Sequence, residues 1–281
     1  DGTNPDVTLT SSAAPNGGTY VWYKGGVATG DIGSSLVIND TAGSGLYTVS
    51  VVDGITFCMS PQSVGETVTI NPLPLTTPVV TPATTTICSG TTVTVNVAGS
   101  QAGINYELFN GVTSLSAAVA GTGGAINLIT SALTSNTTIT VRATNPTTSC
   151  TTLLSGTSVV TVTPIPATPV INPAGPLTAC EGAAAIVLTS SAGAGNQWYK
   201  DGNPIGGATA STLNITTAPG NSGSYTVIST VSGCASLVST AVSVTINALP
   251  LTTPVVTPAT TTICSGTTVT VNVAGSQAGI N

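Results

Sequence analysis

The sequence predicts an all-β chain built as a tandem array of sandwich modules. Three observations carry that expectation: short runs of strict two-residue alternation, a long internal repeat, and an aromatic pattern that recurs at the spacing of the repeat. The alternation is plain in Val93-Thr94-Val95-Asn96-Val97, in Val242-Ser243-Val244-Thr245-Ile246 and in Thr67-Val68-Thr69-Ile70. Side chains two apart share one face of a strand, so such runs bury one face and wet the other. No window of helical periodicity competes with them.

The repeat sets the organisation. Residues 73–105 read LPLTTPVVTPATTTICSGTTVTVNVAGSQAGIN, and residues 249–281 read the same letter for letter, at an offset of 176. Chance does not give such a match, so the gene is a recent tandem array. Inside the period lies an older, diverged half-period. Trp22-Tyr23-Lys24 and Gly45-Leu46-Tyr47-Thr48-Val49 recur as Trp198-Tyr199-Lys200 and Gly223-Ser224-Tyr225-Thr226-Val227. The expected modules are 1–72 (type one, its first strand missing), 73–164 (type two), 165–248 (type one, complete) and 249–281 (the start of a type two). Proline-rich seams separate them: Asn71-Pro72-Leu73-Pro74, Thr163-Pro164-Ile165-Pro166 and Asn247-Ala248-Leu249-Pro250. Proline fixes φ and removes a donor, so each seam ends a strand and stiffens the joint, and the expected assembly is a semi-rigid rod.

Within a module the aromatic pattern narrows the sandwich to an immunoglobulin-like one. That fold places a tryptophan on strand C and a tyrosine at the E–F corner. Trp22 and Trp198 suit the first position, Tyr47 and Tyr225 the second, and all four are assigned to the core. A sugar-stacking platform is the other reading of the tryptophans, and strand C favours the core. Lys24 and Lys200 follow the tryptophans and run into turns at Gly25-Gly26 and Asp201-Gly202. They read as strand residues whose alkyl stems cover apolar neighbours, in preference to isopeptide cross-links, which need a buried lysine beside an acid. Module two departs from the pattern: Ile139 stands at the corner, and Tyr106-Glu107-Leu108-Phe109 takes the place of the Trp strand.

Six cysteines fall one or two to a module. Cys88 and Cys150 lie 62 apart in module two, Cys180 and Cys234 54 apart in module three. In each pair the first opens the module and the second follows the corner strand. Pairing within each module is expected, in an oxidising compartment. A loop of that size stabilises by roughly 4 kcal/mol in the chain-entropy description. Cys58 and Cys264 are then half-pairs whose partners are expected outside this stretch of sequence, as is any export signal.

Composition excludes several function classes. Only 4% of residues are charged, and three basic residues, Lys24, Arg142 and Lys200, cannot neutralise a phosphate backbone. No nucleic-acid partner is expected, and no apolar run is long enough for direct membrane insertion. There is no histidine, which removes the usual nucleophile–base pairs and histidine-ligated metals. The cysteines lack CxxC spacing and the nine acids are scattered without a calcium loop. The expectation is no catalytic residue, no cofactor and no metal. Asp40-Thr41-Ala42 matches a short Asp-Thr-apolar O-glycosylation pattern, which makes Thr41 a candidate acceptor.

The pattern ICSG (Ile87 to Gly90), the YxWYK strand (Tyr20 to Lys24), GxYTV (Gly45 to Val49) and a late cysteine together resemble the Ig-like and PKD-like repeats of giant cell-surface adhesins of Bacteroidota. These are exported by type IX secretion and typified by SprB-type gliding-motility adhesins. The resemblance implies a cell-surface filament attached at the outer membrane that grips polysaccharide or an abiotic substratum. Its other implied partners are neighbouring repeats of the same chain and the secretion and motility machinery. Two further readings stand beside the adhesin: a structural fibre or sheath packed laterally, and a carbohydrate-binding region of a large secreted hydrolase.

Overall fold

The computed structural model describes residues 6–250, 255–257 and 261–274. Its regular structure is strand throughout, apart from three short 3-10 turns. The chain divides into two compact units, residues 1–162 and 163–281. Buried side chains collect in three separate clusters: one within 7–70, one within 80–162 and one within 171–246.

The first cluster lies between strands β1 (Val7–Thr10), β2 (Thr19–Lys24), β3 (Val27–Ala28), β4 (Ser35–Ile38), β5 (Gly45–Val52) and β6 (Glu66–Val68). One sheet pairs β1 with β4, and the other runs β3-β2-β5-β6. Alternation explains the pairing: Leu36 and Ile38 face inward from β4, and Tyr20 and Trp22 face inward from β2.

The second cluster is the largest. It uses β7 (Val79–Thr81), β8 (Thr84–Cys88), β9 (Thr94–Ala98), β10 (Asn105–Asn110), β11 (Thr113–Ser114), β12 (Val119–Ala120), β13 (Ile126–Ile129), β14 (Thr137–Thr144) and β15 (Thr151–Thr163). A three-stranded sheet, β13-β9-β7, faces a larger one ordered β11-β10-β14-β15-β8. Val95 and Val97 on β9, and Ile139, Val141 and Ala143 on β14, are wholly buried.

The third cluster repeats this plan with β16 (Ile171–Asn172), β17 (Leu177–Cys180), β18 (Ile186–Ser190), β19 (Asn196–Lys200), β20 (Asn203–Pro204), β21 (Thr212–Ile215), β22 (Gly223–Val231), β23 (Cys234–Ala235) and β24 (Val242–Asn247). The sheets are β16-β18-β21 and β17-β24-β22-β19-β20. The opening strand β17 runs parallel to the last strand, with Leu177 opposite Val244 and Cys180 opposite Asn247. Two sheets with this strand order, joined at a tyrosine corner, are an immunoglobulin-like sandwich. The chain is all-β, a tandem array of such modules.

A last pair, β25 (Val255–Thr257) and β26 (Asn272–Ala274), joins Val255 to Ala274. The identical residues of module two pair in the same register, Val79 to Ala98. Residues 261–264 form no strand, although the same letters at 85–88 lie in β8. That strand exists in module two because β15 supplies its ladder.

The expected pairs Cys88–Cys150 and Cys180–Cys234 are corrected. Cys150 and Cys180 are free thiols, as are Cys58 and Cys264, whereas Cys88 and Cys234 are disulfide-bonded. Strand direction explains why. Ser155 N–H donates to Thr76 O, and Val159 N–H to Ala83 O, so the opening segment climbs beside β15 in the same direction. Cys88 therefore lies toward the Thr163 end of β15, and Cys150 precedes its other end. Thirteen residues of strand separate the two ends by roughly 40 Å. A disulfide tolerates Cα separations of only about 4.4–6.8 Å. In module three Cys180 sits beside Asn247, while Cys234 sits on the hairpin at the far end of β22, opposite Val231. Modules two and three thus each carry the opening cysteine at one pole and the late cysteine at the other.

Candidate functional site

Trp22 and Trp198 are buried, at 3% and 0% exposure. Each indole N–H is satisfied internally at 2.9 Å, by Gly33 O and by Ala210 O. Neither ring offers a face to a sugar. They occupy the same place in the ladder, Trp22 opposite Val49 and Trp198 opposite Val227. In module two the residue opposite Val141, the equivalent position, is Leu108. Tyr106, wholly buried, stands two residues earlier, where module one has Tyr20. Both tyrosine hydroxyls accept a backbone N–H at 2.8 Å, from Gln101 and from Ala14.

Tyr47 and Tyr225 form the corners. Their hydroxyls donate four residues back, to Gly43 O at 2.5 Å and Asn221 O at 2.6 Å. Burial pushes both phenols up from their ordinary value, and Asp40 and Asp31 for Tyr47, and Asp201 for Tyr225, add to it. Ile139 fills the corner position of module two without a hydroxyl.

Beside each corner the lysine closes the same carbonyl turn. Lys24 Nζ donates to Ala42 O, and Lys200 Nζ to Gly220 O at 2.5 Å. Their stems lie across the glycine of the GxY motif. A Cβ at Gly45 would sit 2.9 Å from Lys24 Cε, and one at Gly223 only 2.7 Å from Lys200 Cε. The glycine and the lysine are thus one device, and their ammonium groups are spent on backbone carbonyls. Thr41 is exposed on the 3-10 turn Thr41–Gly43, and Asp40 caps that turn through Gly43 N–H at 2.7 Å.

Arg142 lies in a groove of module two. Its guanidinium sits 3.8 Å above the Phe109 ring and 3.3 Å from Glu107 Oε2. Glu107 also accepts from Ser114 Oγ at 2.5 Å. The groove, about 540 Å³, is bounded by Val112, Thr151, Thr152 and Leu153. The arginine is neutralised by its own glutamate, so the groove is an aromatic and hydroxyl-lined surface with no net charge. Sequence reasoning passed it over, since Arg142 and Glu107 are 35 residues apart and meet only through the β10–β14 register.

No family model matches the chain, and no curated protein matches it. Among solved structures it is similar to the I-band fragment I67–I69 of titin, at 12% identity over 87% of this chain and 93% of that one, with a TM-score of 0.40. It is also similar to immunoglobulin domains 1–5 of Sidekick-1, at 12% identity over 90% of this chain and 58% of that one, with a TM-score of 0.29. The second is a tandem immunoglobulin array by its description. The chain's own strand order carries the fold assignment. No helix among the described residues is long and apolar enough to cross a membrane.

Proposed function

We propose that this chain is a non-catalytic stretch of a secreted cell-surface adhesin, in which the modules supply reach and many weak contacts. The observation that carries the reading is the letter-for-letter repeat of residues 73–105 at 249–281. Copying a unit without changing it suits a function that scales with copy number. An uncharged Thr, Ser and Asn surface adheres through hydroxyls and amides, and one contact raises the effective concentration for the next. The adhesin belongs at the cell surface of a Bacteroidota cell, exported by type IX secretion and acting in gliding motility on polysaccharide or an abiotic substratum. A disulfide-bearing immunoglobulin-like array suits that oxidising exterior. Thr41, exposed beside a capped turn, is its candidate glycan acceptor.

The test compares arrays of one, two and four 176-residue repeats on glass and on immobilised polysaccharide. Retention is expected to rise more steeply than in proportion to repeat number. Equal binding by one repeat and four would place the function in a discrete pocket, with the Arg142 groove the first to mutate. Binding by none would leave a spacer, and ordered lateral packing of purified arrays would favour the fibre reading.

A further inference from the structure

We propose that the Arg142 groove of module two is a subsite for a neutral glycan, recognised through the hydroxyls of its sugar rings. The groove is then one of the weak contacts of the adhesive reading, on which its purpose rests. It is built from residues of module two alone.

Three features of this groove are missing from the matching places of modules one and three. Glu107 faces Arg142 across the β10–β14 ladder. The same ladder positions hold Val21 and Ser50 in module one, and Gln197 and Ile228 in module three. Phe109, under the guanidinium, is replaced by Tyr23 and Tyr199. Val112 sits 96% exposed on the turn between β10 and β11, where the other modules have Gly26 and Gly202. An exposed β-branched residue in a tight turn gains nothing for the fold. A half-exposed ion pair adds little stability either, and among the described residues the other sandwiches stand without one.

The hydrogen-bonding groups of the groove are unbalanced toward donors. A guanidinium carries five N–H donors. Arg142 commits one, from Nη2 to Glu107 Oε2 at 3.3 Å, and its Nε is buried without a protein partner. Glu107 accepts at both oxygens, from Arg142 and from Ser114 Oγ. Both side chains still reach solvent, Arg142 at 41% exposure and Glu107 at 25%. Lys24 and Lys200, by contrast, are spent on backbone carbonyls. Opposite Arg142 the ladder slips: Thr140 pairs with Thr157 but Arg142 with Leu153. That bulge bends β15 at the groove wall.

Free donors beside a carboxylate, with Thr151 and Thr152 on the wall, select the ligand. A hydroxyl is donor and acceptor in one atom, so neighbouring ring hydroxyls accept from the guanidinium and donate to Glu107. An anion gains from Arg142 but meets the charge of Glu107 beside it. A flat aromatic ligand finds no ring to stack on, because Phe109 is 6% exposed and already covered by Arg142. Val112 and Leu153, exposed at the rim, suit the C–H face of a pyranose. At about 540 Å³ the groove falls within the roughly 300–1,000 Å³ of small-ligand sites. Its charged pair stands on two paired strands, which hold the donors in place before a ligand arrives.

The test uses the whole unmodified chain, isotopically labelled for NMR. Arg142 is the sole arginine of the chain, so its side-chain Nε–Hε group gives a single resonance. The probes are maltohexaose, cellohexaose and laminarihexaose, with oligogalacturonate and inorganic phosphate as anionic controls. At least one neutral hexaose is expected to move the Arg142 resonance saturably, together with the backbone amides of Val112 and Leu153. Arg142→Lys keeps the charge and loses the fork, while Glu107→Gln keeps the shape and loses the charge. Read at Val112 and Leu153, each variant should bind that hexaose at least about tenfold more weakly. Movement by the anions alone overturns the neutral-glycan assignment. No movement with any probe, or movement confined to residues outside the groove, overturns the subsite. Arrays carrying Arg142→Lys that hold polysaccharide as well as unmodified ones overturn the subsite and leave adhesion standing. Unmodified arrays that fail to hold polysaccharide, while the hexaose still binds, overturn adhesion alone.

Discussion

Removing the Trp198 side chain is the sharpest perturbation of the sandwich reading. The indole is wholly buried among Leu188, Ile215, Tyr225, Val227, Val242 and Val244. Trp198→Ala loses the transfer free energy of the ring and leaves a cavity that rigid strands close only in part, at a cost of about 3–5 kcal/mol. The Ala210 carbonyl also loses the N–H that now satisfies it at 2.9 Å. The assay is native-state hydrogen exchange of the backbone amides of Leu188 and Val227, which belong to the same core and need no tryptophan signal. A loss of that size accelerates their exchange by about 10²- to 4 × 10³-fold, since about 1.4 kcal/mol is a factor of ten. Module one provides the internal control, because its core around Trp22 is a separate cluster and its exchange should stay unchanged. An effect below about 1 kcal/mol at Leu188 and Val227 would refute the core assignment. Equal acceleration around Trp22 would refute the independence of the modules.

Three further outcomes are expected. Tyr225→Phe keeps the packing but orphans the Asn221 carbonyl, and should destabilise module three by about 1–2 kcal/mol in urea unfolding. Phe57 is 78% exposed and holds φ at 57°, a conformation that costs a bulky side chain, so Phe57→Gly should stabilise module one by about 1 kcal/mol. Asp53 accepts backbone N–H groups from Thr56 at 2.7 Å and Ile55 at 2.9 Å, with Asn16 Nδ2 at 2.7 Å, and the Thr56 bond first, then the Ile55 bond, hold its pKa at about 2 against an ordinary 3.8. A folded pKa below the unfolded one stabilises above pH 4 and ceases to as pH falls from 4 through 2. The urea midpoint of module one should therefore drop over that window, and Asp53→Asn should flatten the drop while keeping the turn, as Asn145 does with Thr147 and Thr148 in module two.

Much of the fold was legible because a few residues do local work that any sandwich needs. Trp22-Tyr23-Lys24 reads as a strand by alternation, and GxY marks a corner because the tyrosine donates four residues back while the glycine admits the lysine stem. Module two was less legible. Leu108 does the work of tryptophan there, and only the ladder opposite Val141 reveals it. The cysteine pairing failed for a physical reason. Closeness was read from position along the chain, whereas closeness in a sandwich depends on how many strands intervene. Cys180 ends β17, at the corner pole. From there the chain climbs β18, descends β19, climbs again through β20 and residues 205–211, returns through β21 to the corner and climbs β22 to the hairpin that carries Cys234. Counting those crossings puts the two cysteines at opposite poles from sequence alone.

That same polarity decides how a module carries load. The opening strand β17 and the last strand β24 are parallel and paired over four residues, Leu177 to Cys180 against Val244 to Asn247. A pull applied to the incoming chain and to the outgoing chain acts on them in opposite directions along their common axis. The ladder hydrogen bonds are then sheared together rather than peeled one at a time, which is the stronger way to load a sheet. β8 and β15 in module two have the same relation, since Thr76 and Ala83 meet Ser155 and Val159 in rising order. Charge contributes little to this resistance. Among the described residues the ion pairing consists of Arg142 with Glu107, half-exposed and worth no more than about 1 kcal/mol. Resistance rests on backbone ladders and apolar cores, neither of which salt screens. A chain with 4% charged residues therefore gives up little by being neutral.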